Sequence, residues 1–132
     1  MKANNETENN KIEPTKSELE ILQVVWEYGP SSVRFVNDRL NERREINYTS
    51  TLKLMQIMAE KKILKRDESA VKHIYHVTEN EEKTKRHLLK KFVDAMYNGS
   101  ASKLVVQLLG NGSTSKEDVK EIRDLLNKIN EE

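Results

Sequence analysis

The 132-residue chain contains no cysteine, which excludes disulfides, thiolate metal sites and thiol nucleophiles together. No apolar run approaches the ~20 residues that a membrane-spanning helix needs. The opening stretch, MKANNETENNKIEP, has no apolar core and does not read as a signal peptide. No glycine-rich elbow positions a serine nucleophile. GNGSTS lacks the lysine and the preceding strand of a phosphate-cradling loop. The net charge of +1 is too small to announce a nucleic-acid partner by itself. These absences point away from an enzyme, a cofactor and membrane insertion. They lead to the expectation of a cytoplasmic protein with one compact domain, or a small domain with an appended helical segment. A charged fraction of 34% against an apolar fraction of 36% allows it a modest core.

The distribution of charge says more than its total. Between Arg43 and Lys72 there are eight bases against four acids, a local excess of +4, whereas residues 79–132 carry ten of each. A local concentration of positive charge is what attracts phosphates.

Residues 1–12 are rich in Asn and Glu and read as a disordered tail. A first helix opens at Thr15, where Glu18 completes the spacing of a capping box. Its stripe is Leu19, Leu22, Val25 and Trp26, and Gly29-Pro30 ends it. A second helix follows from about Ser32, with Val33, Val36 and Leu40 inward. A third, NYTSTLKLMQIMAEKKIL, has Asn47 as its cap. At about 100° per residue, Thr51, Leu54, Met55 and Met58 share one face of it. Thr49, Lys53, Gln56 and Glu60 share the other, with Ser50 beside them. The period then changes. Val71, His73, Tyr75 and Val77 alternate with Lys72, Ile74 and His76, which predicts a strand. Ile63 to Lys65 is its expected partner, with RDESA as the turn.

A fourth helix is expected from the Thr78–Glu81 capping-box spacing to about Asn98, with Leu88, Leu89, Phe92, Val93 and Met96 as its stripe. A short helix follows with Leu104, Val105, Leu108 and Leu109. The last opens at Ser115 and carries Val119, Ile122, Leu125, Leu126 and Ile129. A lone amphipathic helix buries its stripe only against something else. These helices could fold back on the first domain, but pairing with a second copy satisfies them more readily. The expected architecture is therefore mainly α with a small two-stranded β-hairpin. Residues 13–78 form a winged helix-turn-helix DNA-binding domain, and residues 79–132 form a helical homodimerisation domain.

In a helix-turn-helix protein the recognition helix enters the major groove with its N-terminal residues at the base edges. The third helix suits that role. Thr49 and Ser50 are short hydroxyls that let a helix sit deep. Lys53 matches the acceptors of guanine, and Gln56 can pair with adenine. Glu60 lies where the helix leaves the groove, and Tyr48 can lie against the sugar-phosphate backbone. Arg43 and Arg44 just before this helix, and Lys65, Arg66 and Lys72 around the hairpin, are expected at flanking phosphates. Such contacts fix position without reading sequence.

Three segments carry a resemblance: PTKSELEILQVVWEYGPSSVRFVNDRL, NYTSTLKLMQIMAEKKILKRDESAVKHIY and EDVKEIRDLLNKI. In content and order they resemble the penicillinase-repressor family, the BlaI, MecI and CopY group, from Lys11 to Asn130. The resemblance implies a transcriptional repressor acting as a homodimer on an inverted-repeat, double-stranded DNA operator. It also places Thr49, Ser50 and Lys53 in the groove and Lys65, Arg66 and Lys72 on the wing. In the β-lactam branch the repressor is cleaved after a membrane-bound sensor metalloprotease is activated. The copper branch carries cysteine pairs near its C-terminus, and this chain has none, so it is similar to the β-lactam branch. The corresponding bond falls at Gln107-Leu108, where the family pattern is Asn followed by Phe, and here the chain departs from it.

Other features read as ordinary. His73 and His76, three apart on an expected strand, point to opposite faces and do not share a metal. His87 sits beside an apolar stripe, and Trp26 and Tyr28 have the helical spacing of core residues. Lys83, Lys85, Arg86, Lys90 and Lys91 have acidic neighbours and read as a surface face. The rival reading is a winged-helix adaptor for protein partners that does not bind DNA, since fold does not fix function.

Overall fold

The computed structural model describes residues 13–69 and 71–131, and the tail expected over 1–12 lies outside them. Among the described residues the chain is mainly helical. Its elements are α1 Lys16–Tyr28, α2 Val33–Asn41, α3 Tyr48–Glu60, β1 Leu64–Asp67, β2 Ile74–Val77, α4 Glu81–Tyr97, α5 Ala101–Gly110 and α6 Lys116–Asn130. They fall into two units, one ending at Arg86 and the other beginning at His87.

The capping box at the head of α1 is complete. The Glu18 N–H donates to the Thr15 hydroxyl at 3.2 Å, and the Thr15 N–H donates to the Glu18 carboxylate at 2.8 Å. The buried face of α1 is Ile21, Leu22, Val24 and Val25, while Leu19 and Trp26 are only partly buried against the core. Tyr28 departs from the expected packing. It is 48% exposed and meets Phe35 edge-on, with ring centroids 5.3 Å apart. Gly29 ends the helix at φ 86°, a left-handed conformation that a side chain would resist.

Ser32 caps α2 by accepting from the Phe35 N–H, and Val33, Val36 and Leu40 are buried as the spacing predicts. Asn41 then braces the turn into α3, donating from Nδ2 to the carbonyls of Asn37 and Ile46. Asn47 caps α3, its Oδ1 accepting from the Ser50 N–H at 2.8 Å and from the Thr49 hydroxyl at 2.9 Å. At the other end, Ile63 N–H donates to the Met58 carbonyl and Lys62 N–H to that of Ala59. This is a Schellman motif in which Lys62, at φ 65°, occupies the position that usually takes glycine.

That turn feeds β1, which pairs antiparallel with β2 in the register Leu64–Val77, Lys65–His76, Arg66–Tyr75 and Asp67–Ile74. The strands are displaced from their expected places. Arg66 and Asp67 belong to β1 rather than to the turn, and β2 begins at Ile74 rather than Val71. Asp67 accounts for this. Its carboxylate accepts from both the N–H and the hydroxyl of Ser69, which turns the chain and leaves Val71 wholly exposed. On its other edge β2 meets the α1–α2 connection, where Ser31 and Tyr75 exchange backbone hydrogen bonds of 3.1 and 2.8 Å. Tyr75 is thereby held in the core beside Ile21, Val36, Met55, Met58 and Leu64.

Thr78 does not cap α4. Its hydroxyl donates to the carbonyls of Lys62 and Ile63, and the Lys83 N–H finds Asn80 Oδ1 instead. Thr84, in the first turn of α4, is buried and donates to Glu79. In the second unit, Ser100 caps α5 and Ser115 caps α6. None of the described residues from 87 onward is buried.

Candidate nucleic-acid interface

The hydrophobic pattern of α3 orients the helix. Met55, Met58 and Thr51 are fully buried. Thr51 sits there because its hydroxyl donates to Asn37 Oδ1 of α2 at 2.7 Å, a buried polar pair that locks the two helices together. Turning Thr51 inward turns Thr49, Ser50, Lys53 and Gln56 outward, and all four are exposed.

An open cleft runs beside this face, lined from α2 by Arg34, from α3 by Tyr48 and Gln56, and from the hairpin region by Arg66, Lys72 and His73. Strand alternation decides which basic residues reach it. Arg66 stands opposite Tyr75 and lines the cleft. Lys65 stands opposite His76, and neither of these two lines it. Arg66 is also engaged by the Glu68 carboxylate, which holds its guanidinium above the ordinary range. Asp67 is held below the usual carboxylate range by its hydrogen bonds from Ser69. His76 Nε2 lies 4.0 Å from Asp67 Oδ2.

Arg44 is committed elsewhere. Its Nε and Nη2 reach the two carboxylate oxygens of Glu20 on α1 at 3.2 and 3.0 Å, lowering the Glu20 carboxyl and raising the guanidinium. Arg43 is exposed in the same turn. The expected residues therefore separate. Tyr48, Gln56, Arg66 and Lys72 share one cleft, and Thr49, Ser50 and Lys53 share a helix with two of them. Arg43, Arg44 and Lys65 lie outside the cleft.

Sequence reasoning missed Arg34, whose guanidinium carbon lies 4.9 Å from the centroid of the Tyr48 ring. One signal was legible. A cation in the first turn of a helix works against the helix dipole, so Arg34 invites a reason for its place. Among the described residues, no three of His, Asp and Glu stand together as a metal site would require.

Three helices in this order, a hairpin packed on them and a third helix with an exposed polar face define a winged helix-turn-helix protein. The profile of the penicillinase repressor family matches residues 14–128, and the chain belongs to that family, whose members are regulators rather than enzymes. The penicillinase repressor of Staphylococcus aureus is 23% identical over 121 residues, covering 92% of this chain and 96% of that protein. The methicillin resistance regulatory protein MecI of Mammaliicoccus sciuri is 21% identical over 121 residues, covering 92% of this chain and 98% of that protein. No described helix is long and apolar enough to cross a membrane.

Proposed function

We propose that the protein is a cytoplasmic transcriptional repressor that binds an inverted-repeat DNA operator as a homodimer, with α3 in the major groove. The observation that carries this reading is the division of α3 into a buried side of Thr51, Met55 and Met58 and an exposed side of Thr49, Ser50, Lys53 and Gln56. The exposed side has no carboxylate before Glu60, so it meets phosphates without repulsion. Lys53 and Gln56 contact bases, while Arg66 and Lys72 grip flanking phosphates.

The domains follow the same division of labour. Residues 13–78 read DNA, and residues 79–132 pair the subunits through the stripes on α4, α5 and α6. The pairing is supported by exposure in the single chain. Leu89, Phe92, Met96, Leu125, Leu126 and Ile129 are each 47–63% exposed, and such a set of apolar side chains gains from mutual burial.

Relief of repression follows cleavage at Gln107–Leu108 by a membrane-bound sensor metalloprotease. Both residues are exposed on α5. Because a protease takes its substrate extended, the helix must open locally before the bond is cut.

The test is selection of duplexes from a randomised pool, followed by salt titration of the winners. The expected winners are inverted repeats with half-sites about 10 bp apart or a multiple of that. Lys53→Ala should narrow the preference for these over mixed duplexes by ~1–3 kcal/mol for each half-site, because one of the two base contacts is gone. A pool that never enriches, with binding that does not fall log-linearly with salt, would instead favour a protein-binding adaptor.

A further inference from the structure

The geometry points to Arg34, stacked on Tyr48, as a phosphate-gripping residue of the DNA interface, with Tyr48 as its positioning residue. This rests on the DNA-binding reading above and adds to it a contact from α2. Three observations carry it.

The first is the stacking. Arg34 is the second residue of α2 and Tyr48 the first of α3, and the guanidinium lies 4.9 Å from the ring centroid. A guanidinium over the face of an aromatic ring is attracted to it without using up its N–H donors, which remain available for a bidentate grip on phosphate oxygens. The ring also limits the rotamer freedom that would otherwise be lost on binding.

The second is the pairing of the arginines. Arg39 reaches Glu42, Arg44 reaches Glu20 and Arg66 reaches Glu68. Arg34 is exposed and reaches no carboxylate among the described residues. It therefore meets an incoming anion without first giving up an ion pair.

The third is convergence. Arg34, Arg66 and Lys72 come from α2, β1 and the turn before β2, yet all three line the cleft that also holds Gln56. A backbone strand passing along that cleft meets positive charge on both banks. Arg34 lies on α2 rather than on the outward face of α3, which assigns it to the phosphates and not to the bases.

Phosphate contacts are independent of sequence, so a short fluorescein-labelled duplex of mixed sequence serves as the probe. Each phosphate contact adds about 0.9 to the slope of log affinity against log salt. Arg34→Gln should make that slope shallower by about 0.9 for each subunit engaged. Arg34→Lys should keep the slope while losing several-fold in affinity, because the charge remains and the planar, forked guanidinium does not. Tyr48→Leu should also lose several-fold in affinity with the slope kept, and Tyr48→Phe should behave as wild type. A merely structural role for Arg34 would leave the slope unmoved. If wild type shows steep salt dependence and Arg34→Gln superposes on it, Arg34 is not a phosphate contact and the DNA reading stands. If Tyr48→Leu matches wild type, the positioning role is lost. If wild type itself shows no salt-dependent binding, the DNA reading fails and takes this inference with it.

Discussion

Glu18 is the clearest case of one side chain serving two elements. Its carboxylate closes the capping box of α1 and also receives Lys61 Nζ, the C-cap residue of α3, at 2.6 Å. Burial by itself would push the Glu18 carboxyl up. The Lys61 ammonium and the hydrogen bonds from Thr15 outweigh burial and hold it below the ordinary carboxylate range. The folded value lies below the unfolded one, so the stabilisation is present at neutral pH and is lost as pH falls through the depressed folded value. Lys61→Ala should cost ~1.5–3 kcal/mol in denaturant unfolding at neutral pH, because it removes a charge-assisted hydrogen bond from a carboxylate that stays buried. The gap to wild type should narrow in acid, where Glu18 is protonated in both proteins. A gap that is constant with pH would mean that Lys61 acts through packing alone. Capping-box spacing was readable at Thr15, but nothing in local order announced that Lys61, far along the chain, would share its acid.

At the scale of the element, α3 shows which part of a helix sequence can reveal. The period of Met55 and Met58 marked the inner side, and Thr51 fell with them. Its reason for being there lay on another helix, in Asn37. Thr51→Val keeps the shape and removes the donor, leaving the Asn37 oxygen buried and unpaired. It should destabilise by ~1–3 kcal/mol, measured by thermal or denaturant unfolding. A neutral result would mean that water or another group satisfies Asn37. The hairpin was less legible. Alternation from Val71 to Val77 suggested a longer strand, but alternation records only which residues suit a pleated surface. The side-chain turn at Asp67–Ser69 ends the pairing before Val71 can join it. Thr78 and Glu81 likewise had capping-box spacing, and Thr78 instead spends its hydroxyl on the carbonyls after α3.

At the scale of the molecule, the two units differ in how they satisfy their apolar residues. The first encloses Tyr75, Ile21, Met55 and Leu64 within its own fold. The second leaves Met96 63% and Leu126 54% exposed. Burying a Leu, Ile, Phe or Met side chain contributes ~1.5–3 kcal/mol, so the proposed pairing of two copies through these stripes would have a strong apolar drive. Leu126→Asp combined with Met96→Asp should convert a dimer to a monomer in sedimentation velocity. The same change should weaken binding to an inverted repeat far more than to a single half-site. A wild-type chain that sediments as a monomer at high concentration would remove the dimer from the account.

What the sequence by itself determined is what depends on neighbours along the chain. Helix starts at Thr15, Ser32, Asn47 and Ser115, and the inward sides of α2 and α3, follow from spacing and local hydrogen bonding. Only the tertiary structure decided which charges are committed and which are available. Arg44 went to Glu20, Lys61 to Glu18, and Arg34 was left stacked on Tyr48 beside an open cleft. A side chain's partner is set by distances in space, and local periodicity carries no record of those.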